Sequence, residues 1–159
     1  MTQRNSNIAL KIGALIPGFN GYLDRSERRN NEKIFREVNS NILERSEQTI
    51  ITYQKSLIGN DISLLKEWEQ VRKNLNTLIS KFRHAAYGES SFFSSRQIKE
   101  DELSEVLRFD EEIVDRIQLI FKATENEMDQ VFTRISILNN INQIDEILHN
   151  RMNFIRYFK

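Results

Sequence analysis

Residues 57–68 read Leu57-Ile58-Gly59-Asn60-Asp61-Ile62-Ser63-Leu64-Leu65-Lys66-Glu67-Trp68. Gly59-Asn60 is a stop signal, because glycine and asparagine adopt the left-handed backbone that closes a helix, and Asp61 is a good N-cap for the helix that follows. Two helices joined by so short a connection must fold back on each other, so this stretch predicts an antiparallel hairpin. Upstream, Ile34, Phe35, Val38, Ile42, Ile50, Tyr53, Leu57 and Ile58 recur near helical spacing and predict a first helix over about 25–58, capped by Asp24 or Ser26. Downstream, Leu64, Leu65, Trp68, Val71, Leu75, Leu78, Ile79, Phe82 and Ala86 form a wide apolar stripe and predict a second helix over 62–86, stopped by Gly88.

A serine-rich loop, 89–99, follows, and its Phe92-Phe93 pair is expected to tuck onto the bundle. A third helix is predicted over 101–123 from Leu103, Val106, Leu107, Phe109, Ile113, Val114, Ile117, Ile120 and Phe121, with an acidic first turn that suits the positive end of the helix dipole. A fourth, long helix is predicted over 127–158, where Met128, Val131, Ile135, Leu138, Ile141, Ile144, Leu148, Met152 and Ile155 lie three or four apart, close to a coiled-coil seam. No glycine or proline separates the last two, so Thr124 or Asn126 must cap the break, and one fused rod is the alternative. The expected fold is all-α: an antiparallel four-helix bundle over 24–159, preceded by an irregular extension over 1–23 with a Gly/Pro turn. Helices of unequal length leave apolar seam without a partner in the chain, for which dimerisation is the ordinary remedy.

Composition removes many functions. With 159 residues, 39% hydrophobic and 29% charged, the chain is long enough for one core and too apolar to be disordered. No cysteine is present, which excludes disulfides, thiolate metal sites and cysteine nucleophiles. The N-terminal apolar residues are interrupted by Lys11, and no stretch is long and apolar enough to span a bilayer, so a cytoplasmic protein is expected. Net charge is zero, but residues 1–98 carry 15 Lys/Arg against 10 Asp/Glu, and residues 99–159 carry 8 against 13. Basic and acidic helices packing side by side account for such a split.

Chemical motifs are few. The Glu-x-x-His spacing used by metal-binding bundles occurs at Glu146 and His149, but the other histidine, His84, has Lys81 three positions earlier, so a second pair is missing. No Gly-x-Ser-x-Gly occurs, and Gly13, Gly18 and Gly21 match neither phosphate-loop pattern. Nothing therefore marks an enzyme or calls for a cofactor.

The most unusual segment is Gly13-Ala14-Leu15-Ile16-Pro17-Gly18-Phe19-Asn20-Gly21-Tyr22, which holds three of five glycines and the one proline. Arg25, Arg28, Arg29, Lys33 and Arg36 follow it and predict a basic ridge at a helix N-terminus, where positive charge opposes the dipole and invites an anion. Glu27, Glu32 and Glu37, or the acidic third helix, would satisfy the ridge internally; a phosphate or carboxylate on a partner is the functional alternative. Ile8, Leu10, Ile12, Leu15, Ile16, Phe19 and Tyr22 would let the segment lie on anionic lipid, or simply cap the bundle. A net charge of zero without interleaved aromatics speaks against nucleic acid.

The chain resembles a group of bacterial helical proteins with a Gly-x-x-Gly-Tyr turn, an acidic residue and an Arg-Arg pair, here Gly18, Gly21, Tyr22, Asp24, Arg28 and Arg29. It is similar to them again at Arg83, Ala85, Tyr87, Gly88, Phe93 and the acidic run from Glu100, and departs from them at Glu89. The resemblance implies no activity, only that the turn and the end of the second helix belong together. The sequence thus points to a non-enzymatic, self-associating interaction or scaffold module that docks an unidentified protein through residues 13–36, with Phe19, Tyr22, Arg25, Arg28, Arg29, Lys33 and Arg36 as contacts. A peripheral membrane protein using the same region is the second reading, and a metal-binding bundle the third.

Overall fold

The computed structural model describes residues 2–84, 87–126 and 128–158, with residues 87–90 described by their backbone. Among them are six α-helices and no strand: α1 (Gln3–Leu15), α2 (Arg28–Leu57), α3 (Ile62–Arg83), α4 (Tyr87–Ser94), α5 (Glu100–Thr124) and α6 (Val131–Arg156), with a 3-10 turn at Arg25–Glu27 before α2. The expected end at Ala86 and start at Glu127 lie outside the described residues. Two expectations need correction. The N-terminal extension is irregular only from Ile16 to Asp24: before it, Thr2 accepts from Asn5 N and starts a helix whose Ile8 and Ile12, with Ile16 just beyond it, are buried, so burial against the bundle stabilises a spacing too short to stand alone. Gly88 lies inside α4 rather than ending the second helix, and α4 carries Phe92 and Phe93 into the core.

Gly59 has φ +80 and turns the chain from α2 into α3, where Asp61 Oδ1 accepts from Leu64 N at 2.9 Å. Partners across this hairpin run in opposite order: Glu44 meets Arg83, Glu47 meets Arg72 and Asn76, and Gln54 meets Glu69. Helices α5 and α6 do the same, Asp110 meeting Arg151 and Arg116 meeting Asn140. Between the hairpins the order is shared. Glu67 and Lys81 of α3 meet Arg134 and Asp145 of α6, so these two helices lie side by side in the same direction. α1 runs along α5 likewise, through Asn5 to Ser104 and Lys11 to Glu111 and Asp115. The packing is that of a helical bundle, with Phe35, Trp68, Leu75, Ile113, Ile117, Ile137 and Ile144 in its interior.

The buried face of α2 is unusual. Phe35, Asn39, Leu43, Ser46, Ile50, Gln54 and Leu57 are all buried at steps of four, four and three, an eleven-residue repeat, so polar side chains fill every second position of the seam. That seam hides less apolar surface than its length suggests, and α2 relies on specific partners at its N-terminal end.

Candidate functional site

The specific partners begin with the Gly/Pro segment. After α1, Pro17 and Gly18 (φ +88) reverse the chain, and Gly21 (φ +76) and Tyr22 (φ +64) turn it again. At Gly21 a Cβ would stand 2.6 Å from Ala9 Cβ, so only glycine lets the turn sit on α1. Tyr22 is the single non-glycine with positive φ among the described residues, and its strained backbone drives the ring into the core. There it meets Phe19 edge-on at 5.3 Å and Phe93 at 4.9 Å between ring centroids. Asn31 Oδ1 accepts from Asn20 N at 2.7 Å, and Arg28 Nε donates to the Tyr22 carbonyl at 3.0 Å, which pins the turn to the start of α2.

The Tyr22 hydroxyl ends in a sealed ionic cluster. It donates to Asp110 Oδ2 at 2.5 Å, accepts from Arg151 Nη2 at 3.2 Å and lies 3.4 Å from Glu32 Oε2. Arg151, fully buried, donates from Nε to Asp110 Oδ1 at 2.6 Å, and from Nη2 and Nη1 to the two Glu32 oxygens at 2.6 and 3.2 Å. Arg36 Nε donates to Glu32 Oε1 at 2.6 Å, and its Nη1 reaches the carbonyls of Lys81 and Phe82 at the end of α3. Phe35 and Phe93 flank the Arg151 guanidinium at 5.3 and 6.0 Å, adding cation–π attraction. Two carboxylates and two guanidinium groups balance, so the cluster is neutral as drawn.

Burial acts differently on each member. Desolvation, with the nearby Glu32 charge, outweighs Arg151 and pushes the Asp110 carboxyl up to about 6. Glu32 meets the same desolvation but has two guanidinium groups, Arg151 and Arg36, which hold it below the usual carboxylate range. Desolvation and the Asp110 charge raise the Tyr22 hydroxyl. Arg151 stays charged despite burial, because Asp110 and Glu32 raise it. An acid near 6 suits general acid–base work, but Asp110 is fully buried and lines none of the four hollows around residues 5–28, 74–84, 100–107 and 141–152. The arrangement is a cross-link that joins the turn, α2, α5 and α6.

The expected basic ridge is therefore split. Arg36, Phe19 and Tyr22 are buried, because Glu32 draws Arg36 inward and the turn covers both aromatics, Phe19 keeping an edge on the groove between α1 and the turn. Arg25 and Arg29 are exposed and Arg28 is partly so; none of the three forms an ion pair among the described residues. Burial and, after it, the neighbouring Arg25 charge lower Arg28 from its ordinary value. Lys33 stands apart, 3.8 Å from Glu37. Of the acids on α5, Glu111 and Asp115 hold Lys11.

Two hollows adjoin these arginines. A recess of about 210 Å³ lies among Asn5, Tyr22, Arg28, Glu100 and Leu107, and an apolar groove of about 540 Å³ runs between α1 and the turn. Leu10, Ala14, Phe19, Asn20 and Leu23 line the groove, and Leu23 also borders the recess. Leu10 and Leu23 are more than half exposed, so an apolar strip lies open and meets, at Leu23, the recess lined by Arg28.

Both histidines line one small cleft of about 170 Å³ with Lys81, Asp145, Leu148 and Met152. His149 Nε2 lies 3.0 Å from Asn153 Nδ2, and Lys81 is paired to Asp145. Glu146 is not part of that lining, and among the described residues no three His, Asp or Glu side chains are placed to hold a metal ion.

Of the residues in the resemblance, Tyr22 and Phe93 stack on each other, while Arg83 pairs with Glu44 on the far side of α2; Ala85 lies outside the described residues. Glu32 stood out only as an internal counter-charge for the ridge, and Asp110 and Arg151 belong to no motif. Their signal was position: Asp110 lies between Leu107 and Ile113–Val114 on the buried stripe of α5, and Arg151 between Leu148 and Ile155 on that of α6. No family model matches the chain, and no curated protein or solved structure matches it either.

Proposed function

We propose that this chain is a non-enzymatic, self-associating helical-bundle module that docks a partner protein on the face formed by α1, the Gly/Pro turn and the first turns of α2. Its four long helices act as two antiparallel hairpins, α2–α3 and α5–α6, that together form a four-helix bundle, with α1 and α4 as covers. The observation that carries the docking reading is the apolar groove lined by Leu10, Ala14, Phe19 and Leu23, which shares Leu23 with the recess that Arg28 lines and leads along the chain to Arg25 and Arg29. Such a surface fits an amphipathic segment that offers apolar side chains to the groove and carboxylates to Arg25, Arg28 and Arg29. The ionic cluster serves this face indirectly, since Tyr22 and Arg28 fix the turn on which groove and arginines are mounted.

The test uses the full chain, because removing residues 1–20 would strip Ile8, Ile12, Ile16 and Phe19 from the core. Affinity capture from the native cell is run with the wild type and with an Arg25→Glu/Arg29→Glu/Leu23→Ser variant, whose changes fall on exposed positions. Proteins held by the wild type and released by the variant support the reading; identical sets from both refute it. Vesicles containing anionic lipid provide a parallel arm. Co-sedimentation of the wild type that the variant loses would replace the protein partner by a lipid surface, which the exposed Leu10, Leu15 and Leu23 would also suit. No helix among the described residues is long and apolar enough to cross a membrane.

A further inference from the structure

The opposite end of the bundle carries a second surface. α2 contains 30 residues, so its C-terminus lies roughly 45 Å from the arginines at its start. Here the α2–α3 turn and the start of α6 come together, since Asp61, Asp129 and Arg134 all act electrostatically on Tyr53, and Arg134 pairs with Glu67. Ile58, Ile62, Val131, Phe132 and Ile135 are all carried at this end and are exposed, from 48% for Ile135 to 78% for Phe132. None is needed to finish the core. Five such side chains at one end amount to an apolar patch on the order of 500 Å², near the upper limit for a monomer surface.

We propose that this end is a self-association surface, occupied by the same end of a second copy of the chain in a two-fold pair. Two observations support a second copy as occupant. The first is area: two patches face to face hide roughly 1,000 Å², the lower bound of a specific interface. The second is charge. Around the patch stand three exposed lysines, Lys55, Lys66 and Lys122, and three exposed acids, Asp61, Glu125 and Asp129, none of them in an ion pair among the described residues. A rim with three charges of each sign gives a strongly acidic or basic partner no net attraction, but it complements its own copy, where a two-fold axis brings unlike groups together. The chain as a whole carries net charge zero, so no long-range repulsion opposes pairing.

The proposal names the surface for the self-associating half of the reading above and leaves the docking half independent. Sedimentation velocity of the full chain between about 1 and 200 µM, the range of weak to moderate association, is the test. A monomer–dimer equilibrium is expected, with Phe132→Glu or Ile62→Glu raising its Kd at least tenfold and Arg25→Glu/Arg29→Glu leaving it unchanged. Because Phe132 and Ile62 are exposed, both variants keep the wild-type circular dichroism and melting temperature. A chain that stays monomeric throughout overturns the proposal, as does a dimer indifferent to Phe132→Glu and Ile62→Glu. A dimer broken only by the arginine reversal also overturns it, and assigns pairing to the docking face.

Discussion

Replacing Arg151 by Met tests the claim that the buried cluster holds the fold at its N-terminal end. Methionine keeps the length and apolar stem that lie between Phe35 and Phe93, and removes the charge. Four hydrogen bonds vanish: one to Asp110, two to Glu32 and one to the Tyr22 hydroxyl. The loss falls unequally, because Glu32 keeps Arg36 at 2.6 Å whereas Asp110 keeps only the Tyr22 hydroxyl. Stranding one buried carboxylate costs about 3–5 kcal/mol. For a chain of this size, that lowers the melting temperature by roughly 6–20 °C. Urea denaturation, followed by far-ultraviolet circular dichroism and by the fluorescence of buried Trp68, measures it. A proton can neutralise the stranded Asp110, so Arg151→Met should cost less near pH 5 than near pH 8. Adding Asp110→Leu removes the stranded charge while leaving the Glu32–Arg36 pair, and the double variant should recover at least about 1 kcal/mol of the loss through coupling between contacting residues. A single-variant loss below about 1 kcal/mol would refute the reasoning, since that is the scale of an exposed ion pair. Equal losses at both pH values, or simple additivity in the double variant, would refute it as well.

Two further outcomes follow from the same geometry. The folded chain raises the Asp110 carboxyl from 3.8 to about 6, so the folded state binds that proton more tightly than the unfolded one. Its contribution is present below about pH 4 and lost as pH rises through about 6, worth about 3 kcal/mol. Glu32 acts in the opposite sense, losing its contribution as pH falls through its lowered range, so melting temperature should be higher near pH 5.5 than near pH 7.5, and Asp110→Asn should flatten that difference. Gly21→Ala should destabilise by about 2 kcal/mol or more, because it adds a left-handed backbone penalty to a Cβ placed 2.6 Å from Ala9 Cβ. An unchanged denaturation midpoint would show that α1 is not clamped against the turn.

The long helices were legible because apolar residues three and four apart leave little choice of face, and Gly59-Asn60-Asp61 marked the reversal. The short ones were not. In α1 the pattern spans barely two turns, and α4 holds a glycine and three serines, so both depend on the surface they cover rather than on their own propensity. The relative order of α3 and α6 is a property of hairpin packing, and no local pattern encodes it. The ionic cluster was hidden for a different reason. Met152 looked like the seam residue after Leu148, but Arg151 takes that place, because Asp110 and Glu32 occupy the matching positions on α5 and α2. Each charge reads as a defect in its own stripe, and only the three stripes together show them as one neutral unit. Arg36, counted with its basic neighbours on the chain, pairs with Glu32, one of the acids on the same helix that the sequence offered as internal partners.

The polar seam of α2 has a consequence for the order in which the molecule assembles. Each hairpin joins helices adjacent in the chain and closes over a short loop, whereas the Tyr22–Arg151 hydrogen bond spans 129 positions. Local hairpins therefore form early, and the ionic cluster closes last, when turn, α2, α5 and α6 arrive together. What closes last opens first. The N-terminal arm, whose Tyr22 hydroxyl completes the cluster, is then the first part to detach, and the proposed docking face is mounted on it.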